Sequence, residues 1–236
     1  MKQFFGTSQR GNLDEALQGL HHPQFIMLLS HDRQFDDHVK ALEQRFPGVP
    51  SIGCIGMCYQ IGVTENGVGV IAFSDGVSAA ANVLEQVSVM PVKYIQRLER
   101  DVQTVGGSGL DTVCIDFCSG NDACVLTTIN TVLHGRNIGL VGGTGDQGRV
   151  SANGRVCRDA VAYALVRNQN GRVKTYKENI YHQLGSYRFV ASDTDRANYI
   201  LGSLNGKPAK QVYKSILHVT DEEILTRTFQ NPFGKL

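Results

Sequence analysis

Two long stretches of the sequence, residues 49–75 and 136–166, follow one common pattern. Each begins with an apolar segment that contains Ile-Gly, passes through a glycine-rich crossing, and continues through an Asn-Gly pair to a second apolar segment that contains alanine. Each is also preceded by one segment with the pattern of a strand and one with the pattern of a helix. We interpret this similarity as an internal duplication of a β-α-β-β unit, with repeats over about residues 23–90 and 110–170.

The individual elements are identified by hydrophobic periodicity and by turn signals. Val39, Leu42 and Phe46, for example, recur at helical steps of three and four residues before Pro47 ends the pattern. Strands are predicted over 25–30, 51–59, 68–73, 80–89, 112–118, 137–141, 159–167 and 176–181. Helices are predicted over 35–46, 91–105 and 121–134. This order indicates the α/β (α+β) class, with mixed β-sheets flanked by helices.

A duplicated unit places its two glycine-rich crossings near one another across a pseudo-twofold axis. A cleft between such repeats is where a ligand is expected. The alternative is that the glycines only serve tight turns. The candidate ligand-binding residues are Cys54, Ile55, Gly56, Gly142, Gly143, Thr144, Gly145 and Asp146.

The composition limits the classes of partner. Apolar residues make up 42% of the chain and charged residues 19%, as in ordinary soluble globular proteins. The 23 Lys and Arg balance the 22 Asp and Glu, so the basic signature of nucleic-acid binding is absent. No apolar run reaches the roughly 18–20 residues of a membrane span, and the first residues lack a secretory apolar region. We expect a cytoplasmic protein with no nucleic-acid or membrane partner.

Gly143, Gly145 and Gly148 form a G-x-G-x-x-G pattern after a predicted strand. In dinucleotide-binding proteins a helix follows this pattern, and its N-terminus faces the pyrophosphate. Here an Asn-Gly turn follows instead, without a helical period. The pattern therefore does not indicate nucleotide binding. Its glycines remain candidates for close backbone approach to another ligand, with Thr144 and Asp146 as polar contacts.

Two pairs of cysteines, Cys54 with Cys58 and Cys114 with Cys118, have matched spacing on predicted strands. Four thiols gathered from two adjacent strands would suit zinc or an iron–sulfur cluster. Thiols four residues apart on a strand are, however, roughly 13 Å apart, and buried cysteine is a common core residue. Core packing is the favoured interpretation and a metal site is the alternative. For redox sensing, an exposed thiol near a loop is needed, and Cys118 and Cys157 are the candidates.

Three ordered blocks, which together extend over about residues 20–217, resemble a known family. The first two resemble the conserved blocks of FIST N-terminal domains, and the third resembles the opening of the FIST C-terminal domain. The blocks are residues 49–54 with 70–74, 139–146 with 159–161, and 187–213. The resemblance implies a FIST N-terminal-like domain over 1–182 and the beginning of a FIST C-terminal-like domain over 183–236, which ends soon after its first helix.

The FIST resemblance implies a sensory module that binds a small ligand, such as an amino acid, and regulates a signalling partner such as a histidine kinase. The start of the chain resembles a branch of short bacterial members associated with haem-dependent nitric oxide sensing. For haem we single out His182, which lies among Tyr181, Leu184, Tyr187 and Phe189. An aromatic setting at a domain junction suits a flat apolar cofactor. A hydrogen-bonded structural histidine is the alternative.

Catalytic motifs are absent from the sequence: there is no nucleophile elbow, no H-E-x-x-H and no P-loop. We therefore expect a non-enzymatic protein. Three hypotheses stay open, namely a sensor of a small ligand or haem, a zinc or iron–sulfur protein, and an enzyme of unknown type.

Overall fold

The computed structural model describes residues 1–56, 58–59, 63–64, 66–87, 89, 91–120, 122–176, 181–195 and 200–234. For residues 58–59, 63–64, 91–92, 122–124 and 229 it describes the backbone only. The chain divides into two compact units, Met1–Tyr176 and Lys177–Leu236. In the described part of the chain, no helix is both long and apolar enough to cross a membrane.

The first unit consists of two halves with the same order of elements. The first half contains β1 (Lys2–Ser8), α1 (Leu13–Ala16), β2 (Phe25–Ser30), α2 (Phe35–Arg45), β3 (Ser51–Ile55), β4 (Cys58–Tyr59), β5 (Val63–Thr64) and β6 (Val68–Ser74). The second half contains β7 (Val77–Glu85), α3 (Ile95–Val105), β8 (Thr112–Cys118), α4 (Asp122–His134), β9 (Gly139–Thr144), β10 (Val150–Ala152), β11 (Arg155–Cys157) and β12 (Ala160–Asn168). In each half a short two-stranded hairpin precedes the last strand.

Each half builds a sheet of the same topology. Strands β2 and β3 are parallel neighbours, as are β8 and β9. The last strand of each half, β6 or β12, lies antiparallel between that pair and the first strand, β1 or β7. The strand orders β1-β6-β2-β3 and β7-β12-β8-β9 are therefore equivalent. The structure shows the duplicated β-α-β-β unit and extends it by one strand and one helix at its start.

The hairpin β10–β11 joins the sheet of the other half. β10 pairs antiparallel with β3, which gives the first sheet the order β1-β6-β2-β3-β10-β11. Its turn consists of Asn153 and Gly154, whose φ angles are 48° and 76°. Positive φ at both positions is what a type I′ hairpin turn requires, and Asn-Gly is its preferred sequence.

The two sheets pack face to face, and helices cover their outer faces. Phe25 and Ile52 of the first sheet meet Ala164 of the second in the core between the sheets. Strand β8 shows the layering directly, because Ile115 belongs to this inner core while Cys114 belongs to the outer core beneath α3 and α4. Helices α1 and α2 cover the outer face of the first sheet in the same way. The layer order is helix, sheet, sheet, helix.

Several predicted boundaries are corrected. The predicted strand 51–59 ends at Ile55, because the chain leaves the sheet at Gly56, and Cys58–Tyr59 form the separate strand β4. The predicted strand 80–89 runs from Val77 to Glu85, the residues that pair with β12. The predicted strand 137–141 begins at Gly139 and continues to Thr144 alongside β8. Residues 176 and 181 of the predicted strand 176–181 are not in a strand, and 177–180 lie outside the described residues.

Asp111 organises the turn that leads into β8. Its carboxylate accepts hydrogen bonds from the N–H of Ser108 at 2.9 Å and from the hydroxyl of Thr112 at 2.8 Å. It also forms an ion pair with Nε of Arg167 in β12, at 2.8 Å. Burial alone would raise the pKa of Asp111, but these donors outweigh it and lower the pKa to about 2. The turn is thereby fixed to the neighbouring strand.

The second unit is a small sheet with two helices. It contains β13 (Ala191–Asp195), β14 (Ile200–Leu204), β15 (Lys207–Pro208), α5 (Ala209–Leu217) and α6 (Ile224–Gln230). The strands are antiparallel in sequence order, and Leu204, Ala209 and Val212 form the buried cluster. The assignment of residues 183–236 to a FIST C-terminal-like domain stays a prediction.

Candidate functional site

The two glycine-rich crossings leave their sheets at equivalent places. Gly56 follows β3, and its N–H donates to the carbonyl oxygen of Ser30, the last residue of β2, at 3.0 Å. Gly145 follows β9, and its N–H donates to the carbonyl oxygen of Cys118, the last residue of β8, at 2.8 Å. The pair of parallel strands in each half thus ends with an equivalent hydrogen bond.

The crossing of the second half lies against the end of β3 in the first half. A Cβ built on Gly145 would lie 2.9 Å from the Cβ of Cys54 and 3.5 Å from the carbonyl oxygen of Ile55. Only glycine permits this approach without displacement of the neighbouring residues. Cys54, Ile55 and Gly145 are buried, and Gly56 is half-buried. The structure therefore brings candidate residues from both halves together, and their binding of a ligand stays a prediction.

Strand β9 presents an exposed glycine-rich edge next to this contact. Gly142, Gly143 and Thr144 are all exposed. The equivalent strand β3 is covered by β10, but among the described residues no strand pairs with the outer edge of β9. A Cβ built on Gly143 would meet nothing within 4 Å. Among the described residues, the space beside Gly143 is therefore unfilled, and the strand edge resembles other exposed sheet edges.

A buried carboxylate lies beneath Gly142. Asp116 is 3% exposed and is the β8 partner of Gly142 in the sheet. A Cβ on Gly142 would overlap both the carbonyl and the carboxylate oxygen of Asp116, so this position requires glycine. Sγ of Cys118 donates to Oδ2 of Asp116 at 3.3 Å. Leu28 occupies the equivalent position in the first half, opposite Gly53. The carboxylate is specific to the second half, and its sequence signal is an acidic residue inside an apolar strand.

A short 3₁₀ turn, Asp146–Gly148, follows the crossing. Oδ1 of Asp146 accepts a hydrogen bond from the N–H of Gln147 at 2.8 Å. Gln147 and Gly148 have φ angles of 53° and 63°, and the chain then enters β10 instead of a helix. The G-x-G-x-x-G pattern here shapes a turn between two strands.

Arg149 ties this turn to helix α2 of the first half. Its Nη1 donates to Oδ1 of Asp36 at 2.7 Å, and its Nη2 donates to the carbonyl oxygen of Asp32 at 2.8 Å. Nη2 also forms an ion pair with the carboxylate of Asp32, and the guanidinium carbon lies 5.8 Å from the ring centre of Phe35. Sequence reasoning missed this residue, because its partners are more than a hundred positions away in the chain.

The first half carries a polar cluster at the corresponding end of its sheet. Oγ of Ser30 lies 2.8 Å from Nδ1 of His38 and 3.3 Å from the carbonyl oxygen of His31. Nε2 of His31 lies 3.1 Å from Oε1 of Gln34. Burial, followed by the charge of His31, lowers the pKa of His38. His38 is therefore a neutral hydrogen-bonded histidine of the core.

The FIST N domain family matches residues 24–207 of the chain, which is most of its length. This chain belongs to the FIST N domain family. FIST domains are a sensory family thought to bind small ligands. The match begins just before β2, includes the second half of the first unit, and ends at Lys207 in β15. No curated protein shows significant sequence similarity to the chain.

In this FIST domain the candidate metal-binding cysteines lie in different places. Cys54 belongs to the core between the sheets, whereas Cys114 and Cys118 lie on the outer side of the second sheet, beneath the helices. The side chain of Cys58 lies outside the described residues. Among the side chains that are described, no group of three or more His, Cys, Asp and Glu is placed to hold a metal ion.

The expectation that Cys118 and Cys157 are exposed thiols is wrong. Their exposed fractions are 1% and 5%, because both pack into the cores of the sheets. Burial raises the pKa of Cys157, and burial together with the charge of Asp116 raises that of Cys114. Cys114 and Cys157 thus lack the lowered pKa of reactive cysteines, and all three thiols lack their exposure.

His182 lies in the second unit, outside its helices and strands, and is exposed. Tyr181, Leu184 and Tyr187 are exposed as well. The ring of Tyr187 stacks on Phe189 with centroids 6.3 Å apart. Within the described part of this unit, these side chains do not enclose His182 in an apolar pocket of the kind that holds haem.

Two open depressions lie away from the crossings. One, of about 640 Å³, lies at the amino ends of β2 and β3, beside His22, Gln24 and Val49. The other, of about 670 Å³, lies along α4 beside Asn130 and His134. Neither includes any of the eight candidate ligand-binding residues. Among the described residues, the exposed part of the candidate site is the strand edge Gly142–Thr144.

Proposed function

We propose that this FIST domain is a non-catalytic sensor that binds a small ligand at the exposed strand edge Gly142–Thr144 and at the adjoining crossing. Its bound state would regulate a signalling protein such as a histidine kinase. One observation carries the proposal: the exposed glycine edge leads directly into Gly145, which contacts Cys54 and Ile55 of the other half. A ligand on this edge therefore lies where the two halves meet.

The chemistry of the edge favours a small ligand with both hydrogen-bond donors and acceptors. Neighbouring residues of a strand direct their N–H and C=O groups to opposite sides, so one of the two glycines Gly142 and Gly143 turns these groups away from β8. Neither glycine carries a side chain that would keep a ligand from approaching them closely. Backbone N–H groups suit a carboxylate, and backbone C=O groups suit an ammonium. A free amino acid carries both, and it is the ligand class we propose first.

The test fills the proposed site without disturbing the fold. Gly143→Leu adds a side chain where a Cβ meets nothing within 4 Å and where φ is not positive. Gly135→Leu is the matched control, because Gly135 is exposed, has equally open space and lies in the turn between α4 and the start of β9, outside the edge Gly142–Thr144. Each protein is screened against the twenty amino acids by thermal shift and then by calorimetric titration.

We expect at least one amino acid to stabilise the wild type and Gly135→Leu, and to leave Gly143→Leu unchanged. A ligand that binds all three proteins equally well would place the site elsewhere and contradict the proposal. So would the absence of any response from the wild type to the amino acids and to haem.

A separate, narrower proposal is that the protein binds haem with His182 as the axial ligand and senses nitric oxide. Family membership supports the sensory role, and the described surroundings of His182 do not fit haem. The proposal is tested by titrating hemin into the wild type and His182→Ala. The proposal requires a Soret band in the wild type that shifts with nitric oxide and that is altered in His182→Ala. The absence of a Soret band in the wild type excludes haem, and an unaltered band in His182→Ala excludes His182 as its axial ligand.

The zinc or iron–sulfur alternative is decided by metal analysis of the purified protein. Structural sites bind metal tightly, so less than about a tenth of an equivalent excludes them. Cys114→Ser and Cys118→Ser would lower the content of a site that uses these thiols. Turnover of any substrate would contradict the proposal of a non-enzymatic sensor.

A further inference from the structure

Arg149 is the side chain that joins the candidate ligand site to a helix of the other half. It directly follows the turn Asp146–Gly148, and a Cβ on Gly145 would lie 3.4 Å from its carbonyl oxygen. Its side chain leaves this turn and ends at the start of α2, where Asp32, three residues before the helix, and Asp36, in the first turn of the helix, bind it. One residue thus contacts the crossing through its backbone and α2 through its guanidinium.

The contacts of Arg149 are those of an organised ion pair and not of a chance surface pair. Its side chain is only 14% exposed, although the two aspartates are about half exposed. The fork of donors engages two carboxylates and one carbonyl, while Phe35 lies against the guanidinium. Its Nε is a buried donor that has no acceptor among the described residues. Such a donor is left unsatisfied only where other contacts hold the group in place or where a bound water or ligand completes it.

We propose that Arg149 is a positioning residue that couples the ligand-binding crossing to α2. This inference rests on the proposed function for the identity of the site, but the coupling itself is a property of the unliganded protein. The ion pairs hold the turn that follows Gly145 in place, and a ligand that orders the crossing also orders the first turn of α2. Binding of a ligand in the second half would in this way change the order of α2 in the first half.

Hydrogen exchange tests the coupling without any ligand. We compare peptides that cover 145–150 and 32–38 with a reference peptide from β12. Arg149→Met and Asp36→Asn should each speed exchange at least tenfold in the first two peptides and leave β12 unchanged. Arg149→Lys keeps the charge but loses the fork, so its effect should be smaller. Arg155→Met is the control, since Arg155 lies on the hairpin β10–β11 that follows Arg149 and pairs with Glu85, at 2.6 Å.

The outcomes separate the coupling from general stability. Unchanged exchange in 145–150 for Asp36→Asn overturns the proposal. If Arg149→Met speeds hydrogen exchange in β12 as much as in 145–150, the variant destabilises the whole unit. The milder variant Asp36→Asn then decides, because coupling predicts faster exchange in 145–150 and unchanged exchange in β12.

A second arm adds hemin or the amino acids to the wild type. A probe that protects 145–150 and 32–38 together, but only 145–150 in Asp36→Asn, is the expected result. A probe that protects 145–150 alone in the wild type overturns the coupling and leaves the proposed function standing. Probes that protect neither peptide remove the proposed function, and the coupling is then judged by the unliganded exchange.

Discussion

Adjacent glycines on β9 should respond in opposite directions to the same substitution. Gly142 and Gly143 are neighbours on an exposed strand, and neither has a positive φ. A Cβ on Gly142 would overlap the carbonyl and carboxylate oxygens of Asp116, whereas one on Gly143 would meet nothing within 4 Å. The pair Gly142→Ala and Gly143→Ala therefore adds the same methyl group to a blocked and to an open position.

The magnitudes follow from these two environments. At Gly143, alanine removes the conformational entropy cost of glycine, which is worth about 0.5–1 kcal/mol. At Gly142 the obstacle is the backbone of β8, which is held between β12 and β9 and cannot retreat. Overpacking of this kind costs about 1–3 kcal/mol. For a unit of this size, each kcal/mol shifts Tm by about 2–4 °C. We expect Gly142→Ala to lower Tm by about 2–12 °C and Gly143→Ala to leave it unchanged or raise it slightly.

Differential scanning calorimetry and urea denaturation at pH 7 measure both variants against the wild type. Equal changes in the two variants would refute the reasoning, because they would show that β9 does not pack on Asp116 in this register. A stable Gly142→Ala would refute it as well. The same proteins also serve the ligand screen, since Gly143→Ala leaves the edge nearly open and should still bind.

Three further predictions concern the hydrogen bonds that hold the elements together. The pKa of Asp111 is lowered to about 2, so its ionised form stabilises the folded state. After a discount for solvent screening, we expect Asp111→Asn to lower the free energy of unfolding by about 1–2 kcal/mol at pH 7. That stability is fully present above the unfolded-state pKa near 3.8. The difference in stability between Asp111→Asn and the wild type should therefore shrink as pH falls to 3. The control is Asp14→Asn, at an exposed ion pair, and its free energy of unfolding should differ little from that of the wild type. The lowered pKa of His38 means that the unfolded chain takes up its proton first, so stability should fall as pH drops below about 6.5. Urea midpoints at pH 7.5 and 5.5 should differ less in His38→Gln, and an equal drop would contradict this. Tyr163→Phe removes a buried hydroxyl that donates to Asp101 at 2.5 Å and should cost about 1–3 kcal/mol by urea denaturation; a neutral result would mean that the hydrogen bond is not formed.

Local sequence signals determined much of the fold. The repeated Ile-Gly, crossing and Asn-Gly pattern predicted the duplicated unit. It also predicted that the two crossings lie near one another; the structure places Gly145 of the second crossing against Cys54 at the end of β3, and the approach of the two crossings stays a prediction. Hydrophobic periodicity identified α2 and β8 nearly to their ends, because it reports which face of a segment is buried.

The sequence did not give the short elements or the partner of each strand. β1 pairs with β6, sixty or more positions later in the chain, and β10 joins the sheet of the opposite half. Such pairings depend on where distant segments meet after collapse, and a local pattern of apolar residues contains no information on this.

The same division holds for the candidate site. The sequence by itself determined which residues are small and flexible enough to let a backbone approach, and so it identified Gly142, Gly143 and Gly145. Only the tertiary structure decided that β9 keeps an exposed edge while its counterpart β3 is covered. It also decided that Asp116 lies beneath Gly142 and that Arg149 joins the crossing to α2. Glycine conformation is a local property, whereas exposure, burial and ion pairing arise from contacts between segments that are far apart in the chain.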